Sequence, residues 1–444
     1  MNENNKNYHG FSASIFDVCK MSLRWIAIIL FFIYVALGPL SHEQSLLQRW
    51  IIIITLVSLC LEQQAKKLLH DPICWCLLLA LLSQSLTWLV GKQLGNGYFS
   101  NPFNLSFIGS IFVFVAVAHI VKANKYILYG AFLVAVVQYG YLTILKGGMH
   151  SQWLLGFSGS RVDFAVRNAQ HTSMIFGSLL ISACCLYRQI LSMTKSKVVN
   201  VLVFTTLLIF SFSGCVITQT RAIYLALLFS IGTFVVLYLT FKLSDKKSRL
   251  VFISSLLTIA IVGGFFSSGI LEHRVNAESD VVSGVIEGGS KDIPYTSIGV
   301  RLNTWLEALS AFEKRPITGW GEKARKEVIK NSTILPDWVK HDFGHLHNYF
   351  IEVTLSFGLL GLSSVIAMFI VLITRFYKRI DGQDGDFMLL GVAFCVYFII
   401  ANNFESYLTY DTGKYVFSIL IGSIYSLVLY ENPRDVKLGS KNEA

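Results

Sequence analysis

Long apolar runs dominate the pattern of hydrophobic and polar positions along this chain. A helix needs roughly 20 apolar residues to cross a bilayer core of about 30 Å, and runs near that length recur from end to end. Twelve spans are predicted in this way, of which the second is short. They cover residues 25–40, 51–61, 74–90, 105–121, 126–145, 172–187, 198–217, 222–241, 250–271, 349–374, 387–400 and 415–430.

Proline positions and composition agree with this pattern. The seven prolines lie in loops or at the ends of the runs, and because proline breaks helix interiors, we expect the spans to be uninterrupted helices. Hydrophobic residues make up 54% of the chain and charged residues 14%, well below the roughly 25% charged residues of a soluble domain. The expected fold class is therefore an all-α integral membrane protein with about 12 transmembrane helices.

The distribution of basic residues predicts the orientation in the membrane. If the N-terminus faces the cytoplasm, the inner loops and tails hold more than half of the 37 lysines and arginines, while the short outer loops hold few. This bias follows the positive-inside rule and places both termini in the cytoplasm. The net charge of +10 then reflects topology, so membrane lipids are the expected partners and nucleic acid is not.

One long polar segment, residues 272–346, interrupts the apolar pattern and faces outward in this topology. It separates spans one to nine (1–271) from spans ten to twelve and a cytoplasmic tail (347–444). The first half, 276–297, is acidic and poorly periodic, which is typical of a mobile segment. The second half predicts an amphipathic helix that ends before Pro316, because apolar residues recur there at spacings of three and four. These residues are Leu302, Trp305, Leu306, Leu309 and Phe312.

Several arginines lie where the chain meets the outer membrane surface. Arg221 stands between two apolar spans, and Arg301 lies near the start of the amphipathic helix. A guanidinium group stays charged and binds phosphate oxygens through two nitrogens, so this pair suits a pyrophosphate. Arg221 is equally compatible with a side chain that extends to lipid headgroups. Arg161 and Arg167, in the shorter outer loop 146–171, are weaker candidates for binding phosphate.

Histidines cluster just before the tenth span. The imidazole of His347 can accept a proton from a hydroxyl group at neutral pH, which arginine cannot do. A purely structural histidine at a helix end is the alternative. His345 and His347 are two residues apart, which places them about 200° apart on a helix, and an Asp-x-Asp pattern is absent nearby. We therefore expect no metal site here.

With these residues in view, two segments resemble the signature motifs of the O-antigen ligase and polymerase superfamily of bacterial membrane glycosyltransferases. The first is Thr-Gln-Thr-Arg-Ala at 218–222, and the second runs from 299 to 361. The second contains Arg-Leu-Asn-Thr-Trp at 301–305, Pro316, Gly-Trp-Gly at 319–321, His-Asn-Tyr at 347–349 and Gly-Leu-Leu-Gly at 358–361. The predicted topology, with one large periplasmic loop before the tenth span, is similar to that superfamily as well.

In size and layout the chain is most similar to the O-antigen ligases, whose fold resembles the GT-C glycosyltransferases. The resemblance implies transfer of O-polysaccharide from undecaprenyl pyrophosphate to a sugar hydroxyl of the lipid A core, at the periplasmic face of the Gram-negative inner membrane. Arg221 and Arg301 would grip the pyrophosphate and His347 would activate the hydroxyl, with inversion and without cofactor or metal. Trp305, Asn348 and His345 are expected at the substrate.

Three alternatives remain open at this point. O-antigen polymerases and protein O-oligosaccharyltransferases share the donor and much of the motif, although chain length favours the ligase over the larger protein glycosyltransferases. A transporter of lipid-linked oligosaccharides would need charged or broken helices near the bilayer midplane. The predicted spans are nearly free of charge, with His119 as the clear internal exception, so transport is the least favoured.

Overall fold

The computed structural model describes residues 4–39, 43–61, 65–98, 106–146, 148–243, 245–247 and 293–430. These residues form helices joined by short loops, and they include no β-strand. In chain order the helices are α1 Asn4–Leu37, α2 Gln44–Leu61, α3 Ala65–Leu69, α4 Pro72–Leu94, α5 Ser106–Val121, α6 Lys125–Gly140, α7 Met149–Phe157, α8 Ala169–Cys185, α9 Tyr187–Leu191, α10 Lys197–Ile217, α11 Arg221–Phe241, α12 Ser297–Lys314, α13 Ala324–Lys330, α14 Asp337–Asp342, α15 Tyr349–Tyr377, α16 Gly385–Asn402 and α17 Asp411–Tyr430.

The all-α membrane class is confirmed. Within the described part of the chain, nine helices are long and apolar enough to cross a bilayer. Helices α5 and α8 also coincide with predicted spans but are shorter, at 16 and 17 residues. The ninth predicted span, 250–271, and the acidic segment up to residue 292 lie outside the described residues. The total of twelve spans, the domain boundary at 271 and the periplasmic position of the loop therefore stay predictions.

The last two helices form the centre of the bundle. In the 18-residue apolar stretch of α17, 94% of the residues are buried, against 22% in that of α1. Helix α17 is therefore enclosed by protein on all sides, while α1 is peripheral. Helix α17 packs against α5, and α16 packs against α11. The turn between α16 and α17, which holds residues 403–410, is thereby attached to the two most buried of the nine long apolar helices.

Helix α15 corrects the expectation of uninterrupted spans. Gly358 has φ 66° and ψ −166°, which breaks the helix. The freed backbone groups pair with the loop 316–321: Leu359 N donates to Pro316 O at 2.8 Å, and Gly321 N donates to Ser356 O at 2.8 Å. Because both partners lie in a neighbouring loop that only the fold brings close, the proline pattern gave no sign of the break. The loop thereby holds the N-terminal part of α15 in place.

A small subdomain covers this part of α15. It consists of α12 to α14. Helix α12 runs from Ser297 to Lys314 with Thr296 as its N-cap, and it ends before Pro316, as the amphipathic pattern predicted. Its separate apolar core contains Val300, Ala308, Ala324, Ile329, Leu335, Val339, Leu346 and Leu355. Since Leu346 and Leu355 flank the start of α15, this core fixes the histidine segment against the subdomain.

Candidate active site

A single buried carboxylate joins the two histidines that precede α15. His347 Nδ1 lies 3.0 Å from Glu405 Oε2, and His345 Nε2 lies 3.1 Å from Glu405 Oε1. The Glu405 side chain is 1% exposed, while those of His345 and His347 are 19% and 15% exposed. The amide of Ser406 also donates to Oε1 at 2.9 Å. The carboxylate is therefore held in one position, with the imidazole rings between it and the outside.

The histidine segment, residues 343–348, is a loop in which one residue, His347, has a strained backbone conformation. His347 has φ 52°, in the left-handed region that residues other than glycine rarely adopt. Trp305 Nε1 donates to Leu346 O at 2.7 Å, and the following residue, Asn348, caps α15 by accepting from Ile351 N at 3.1 Å. Such strain persists only where surrounding contacts impose it, and it concentrates at functional sites. Trp305 and Asn348 thus position the loop, and their predicted contact with substrate stays a prediction.

A second buried carboxylate, that of Glu352, supports the loop from the other side. It accepts from Leu346 N at 3.0 Å and from the Arg325 guanidinium at 2.8 Å. Burial lowers the pKa of Arg325, but the charge of Glu352 outweighs it, so the net direction is upward. The Arg325 guanidinium therefore remains charged, and through Glu352 the pair anchors the segment that carries His347.

The charge states of the pair suit proton transfer. Burial raises the pKa of Glu405, but hydrogen bonds from His345 and His347 outweigh it and hold that pKa well below its usual range. Burial also lowers the pKa of His347, and Glu405 offsets this effect only in part. At neutral pH the carboxylate is thus ionised and His347 is neutral. A neutral imidazole that donates Nδ1–H to a carboxylate presents its Nε2 lone pair to an incoming proton.

Arg301 lies beside this pair. Its positive charge contributes to the lowered pKa of His347, which places it within electrostatic reach of the imidazole. With the amide of Gln170 oriented to satisfy both neighbours, its oxygen accepts from Arg301 Nη2 at 2.8 Å and its nitrogen donates to Glu405. Gln170 therefore joins the helix that carries Arg301 to the Glu405 carboxylate, so cation and base stand in a fixed relation.

Two more guanidinium groups flank the ring of Tyr410. Arg167 Cζ lies 3.5 Å from the ring centroid and Arg325 Cζ lies 5.5 Å from it. Arg167 has φ 45°, a second strained position in the outer segments. Cation–π contact holds the Arg167 guanidinium over the ring, while the Arg325 guanidinium is also paired with Glu352. Tyr410 therefore brings two guanidinium groups close to His345, whose ring it also contacts.

The remaining predicted arginines, Arg161 and Arg221, lie at or beside the segment 218–221. Arg161 Nε donates to Thr218 O at 3.3 Å, and the Arg161 charge also acts on Tyr407, next to Glu405. Arg221 is the first residue of α11 and its side chain is exposed. The structure thus joins loop 158–171 both to the 218–221 turn and to Arg301. The contact of Arg221 with a pyrophosphate stays a prediction.

The geometric argument against a metal site is wrong. It assumed a helix, but residues 343–348 form a loop, and the rings of His345 and His347 lie only 3.9 Å apart between centroids. Their ligand nitrogens and a Glu405 oxygen all lie within 4.8 Å of one another. Two imidazoles and a carboxylate form a donor set that suits zinc, so these three residues could hold an ion.

Glu405, Gln170, Glu352 and Tyr410 were missed in the sequence. Glu405 lies 58 and 60 residues from its histidine partners, and Gln170 lies in the first turn of α8. One signal was available: Glu405 is a carboxylate in the short polar segment Asn-Asn-Phe-Glu-Ser at 402–406, between two apolar spans. A charge at such a position needs a partner, and the outer histidines were the candidates.

The comparisons with known proteins fit this geometry. Residues 206–366 match the family model Wzy_C, described as O-Antigen ligase; the matched range contains Arg221, Arg301 and His347 but not Glu405. An uncharacterized protein of Haemophilus influenzae is 27% identical over 197 residues, which is 42% of this chain and 48% of that protein. The matched part thus spans about half the length of that relative. The family match agrees with the resemblance found in the sequence, because residues 206–366 are similar to the O-antigen ligase family model.

Proposed function

We propose that this protein is an O-antigen ligase of the inner membrane of a Gram-negative bacterium. It transfers O-polysaccharide from undecaprenyl pyrophosphate to a sugar hydroxyl of the lipid A core on the periplasmic face. The observation that carries the proposal is the His347–Glu405 pair, 3.0 Å apart, beside Arg301. The family match to 206–366 supports lipid-linked glycan chemistry at this site. In this proposal both termini are cytoplasmic and the fold is GT-C-like.

The reaction follows from the positions of the groups. Glu405 accepts the Nδ1–H of His347, so Nε2 takes the proton of the acceptor hydroxyl as its oxygen attacks the anomeric carbon. The new C–O bond forms as the bond to the pyrophosphate oxygen breaks on the opposite face, which inverts the configuration. Arg301, assisted by Arg221, neutralises the charge that develops on the leaving pyrophosphate. No cofactor enters these steps.

The other outer residues extend this assignment. Arg161 and Arg167 contact phosphates of donor or acceptor, because a guanidinium binds phosphate oxygens in pairs. Trp305, Asn348 and His345 lie along the path of the sugars, close to the loop that carries the base. Transport is disfavoured by the break at Gly358, because its freed backbone groups pair with loop 316–321 and do not line an aqueous path.

The test is the identity of the product. Purified protein in liposomes receives undecaprenyl-pyrophosphate-linked glycan and lipid A core, with Arg301→Ala beside the wild type and Arg188→Ala, a cytoplasmic arginine in this topology, as control. Glycan on the lipid A core, lost only in Arg301→Ala, is the expected result. Longer glycan still on the lipid carrier would indicate a polymerase, and glycan on an added protein acceptor would indicate a protein O-oligosaccharyltransferase. No covalent product with a matched donor would overturn the enzyme assignment.

A further inference from the structure

The Glu405 carboxylate is hydrogen-bonded to two imidazoles, those of His345 and His347, although the proposed reaction uses only that of His347. His345 is not required to orient His347, since each histidine bonds its own carboxylate oxygen. The result is a group of two nitrogens and a carboxylate, 3.0 to 3.1 Å apart across each His–Glu contact. The carboxylate is buried and the rings are partly exposed, so the group is open toward the outside.

We infer that His345, His347 and Glu405 form an inhibitory binding site for Zn²⁺ or a similar divalent transition-metal ion. Zinc bonds imidazole nitrogen and carboxylate oxygen at about 2.0–2.2 Å, so two ligands of a tetrahedral ion lie about 3.3 Å apart. The two His–Glu distances are within a few tenths of that value. All three ligand atoms lie within 4.8 Å of one another, so the two nitrogens must approach each other by at most about 1.5 Å to reach the tetrahedral spacing.

The surroundings of the group favour such a site. The carboxylate of Glu405 is fixed by the Ser406 amide and by Gln170, and contacts of this kind orient metal ligands. Imidazole and carboxylate select zinc, cobalt or nickel over Mg²⁺ and Ca²⁺, which require more oxygen ligands. The fourth position faces outward and is left for water. Arg301 opposes a cation electrostatically, so we expect reversible binding and not a structural ion.

Metal binding and proton transfer exclude each other at His347. Without metal, Nδ1 carries the proton and Nε2 has the free lone pair. An ion on Nδ1 uses the lone pair of that nitrogen, so the proton must reside on Nε2. The atom that accepts the hydroxyl proton is then already protonated. Binding itself does not depend on the proposed function, whereas the inhibition rests on the proposed role of His347.

Binding is tested with Co²⁺, whose visible absorption reports a four-coordinate site, on the full chain in detergent without a histidine tag. The variants are His345→Asn, and His341→Asn as matched control, because His341 also faces a carboxylate, that of Asp342 at 2.8 Å, but on the surface. Glu405→Gln is a second site variant, and size-exclusion chromatography confirms that each is folded. We expect one equivalent of Co²⁺, displaced by Zn²⁺, in the wild type and His341→Asn only. Failure to bind, or unchanged binding in both site variants, would overturn the site.

Inhibition is measured separately in the transfer assay. Zn²⁺ at concentrations that displace Co²⁺ should reduce transfer at least about tenfold, a chelator should restore it, and Mg²⁺ should have no effect. Cobalt binding at the site with transfer unaffected by Zn²⁺ would contradict the inhibitory role. If no transfer occurs under any condition, the proposed function fails, while the Co²⁺ spectrum still decides the metal site.

Discussion

The indole nitrogen of Trp305 donates to the carbonyl oxygen of Leu346 at 2.7 Å. This bond joins the helix that carries Arg301 to the loop that carries His347. Trp305 follows Arg301 by four residues, and Leu346 directly precedes His347. In the proposed reaction, one group binds the leaving pyrophosphate and the other takes the acceptor proton, so their separation must be constant. The Trp305–Leu346 bond is therefore part of the geometry on which the reaction depends.

The first prediction concerns this bond. Trp305→Phe keeps an aromatic ring but removes the donor, which costs about 1 kcal/mol of stability and loosens the loop. We expect kcat to fall about tenfold with little change in KM. Trp320→Phe is the control, because Trp320 donates an equivalent bond to Ala311 O at 2.7 Å. That bond does not involve the loop that carries His347. Equal losses of kcat in the two variants would contradict a specific role for Trp305.

The second prediction concerns Glu405. Glu405→Gln removes the charge that orients His347 and favours its protonated form during transfer, so we expect kcat to fall at least about 100-fold. Initial rates of transfer at saturating donor measure the effect. Asp337→Asn, a carboxylate whose side chain is fully exposed (100%), should retain wild-type rates. A Glu405→Gln rate within twofold of the wild type would rule out the proposed pairing.

The third prediction concerns the helix break. A Cβ atom at Gly358 would lie 2.1 Å from Ile317 O, whereas at Gly95, which has a similar positive φ, it would meet nothing within 4 Å. Gly95→Ala should cost about 1 kcal/mol from the backbone conformation alone. Gly358→Ala should cost considerably more, because the loop must move. Thermal unfolding in detergent compares them, and equal unfolding temperatures would contradict the close approach of loop and helix.

The fourth prediction concerns the buried ion pair of Arg325 and Glu352, whose side chains are 24% and 4% exposed. Arg325→Met leaves the carboxylate buried without its cation, which should cost about 3 kcal/mol. The control is Lys340→Met, since the partner of Lys340, Asp337, is fully exposed and the pair contributes less than about 1 kcal/mol. Denaturant unfolding measures both changes, and similar costs would argue against a desolvated pair.

The helices could be predicted from the sequence because burial in lipid leaves a simple signal. Ten of the predicted spans, from 25–40 to 415–430, coincide with long helices or with the shorter α5, and the predicted span 172–187 begins inside α8. The break at Gly358 could not be predicted, because it depends on backbone bonds to loop 316–321, about 40 residues earlier in the chain. A glycine inside an apolar span, such as Gly358, is a weaker sign of a helix break than a proline.

The site was predictable in its cations and its histidines but not in its carboxylates. Arg301 and His347 stand out because charge and titratable groups are rare beside apolar spans. Glu405 and Gln170 lie on other elements, and only the packing of α16 and α8 brings them to His347 and Arg301. The argument against a metal site failed for a related reason. It derived the separation of His345 and His347 from helix geometry, which does not apply because the segment is a loop.

The most direct test of the central claim is the rate of glycan transfer to lipid A core by wild type, His347→Ala and His341→Ala, each reconstituted in liposomes at equal protein. His341 lies six residues from His347 and is 89% exposed, so it controls for the loss of a nearby histidine. We expect His341→Ala to match the wild type and folded His347→Ala to lose at least about 100-fold in rate. Transfer by His347→Ala at the wild-type rate would contradict the assignment of His347 as the base.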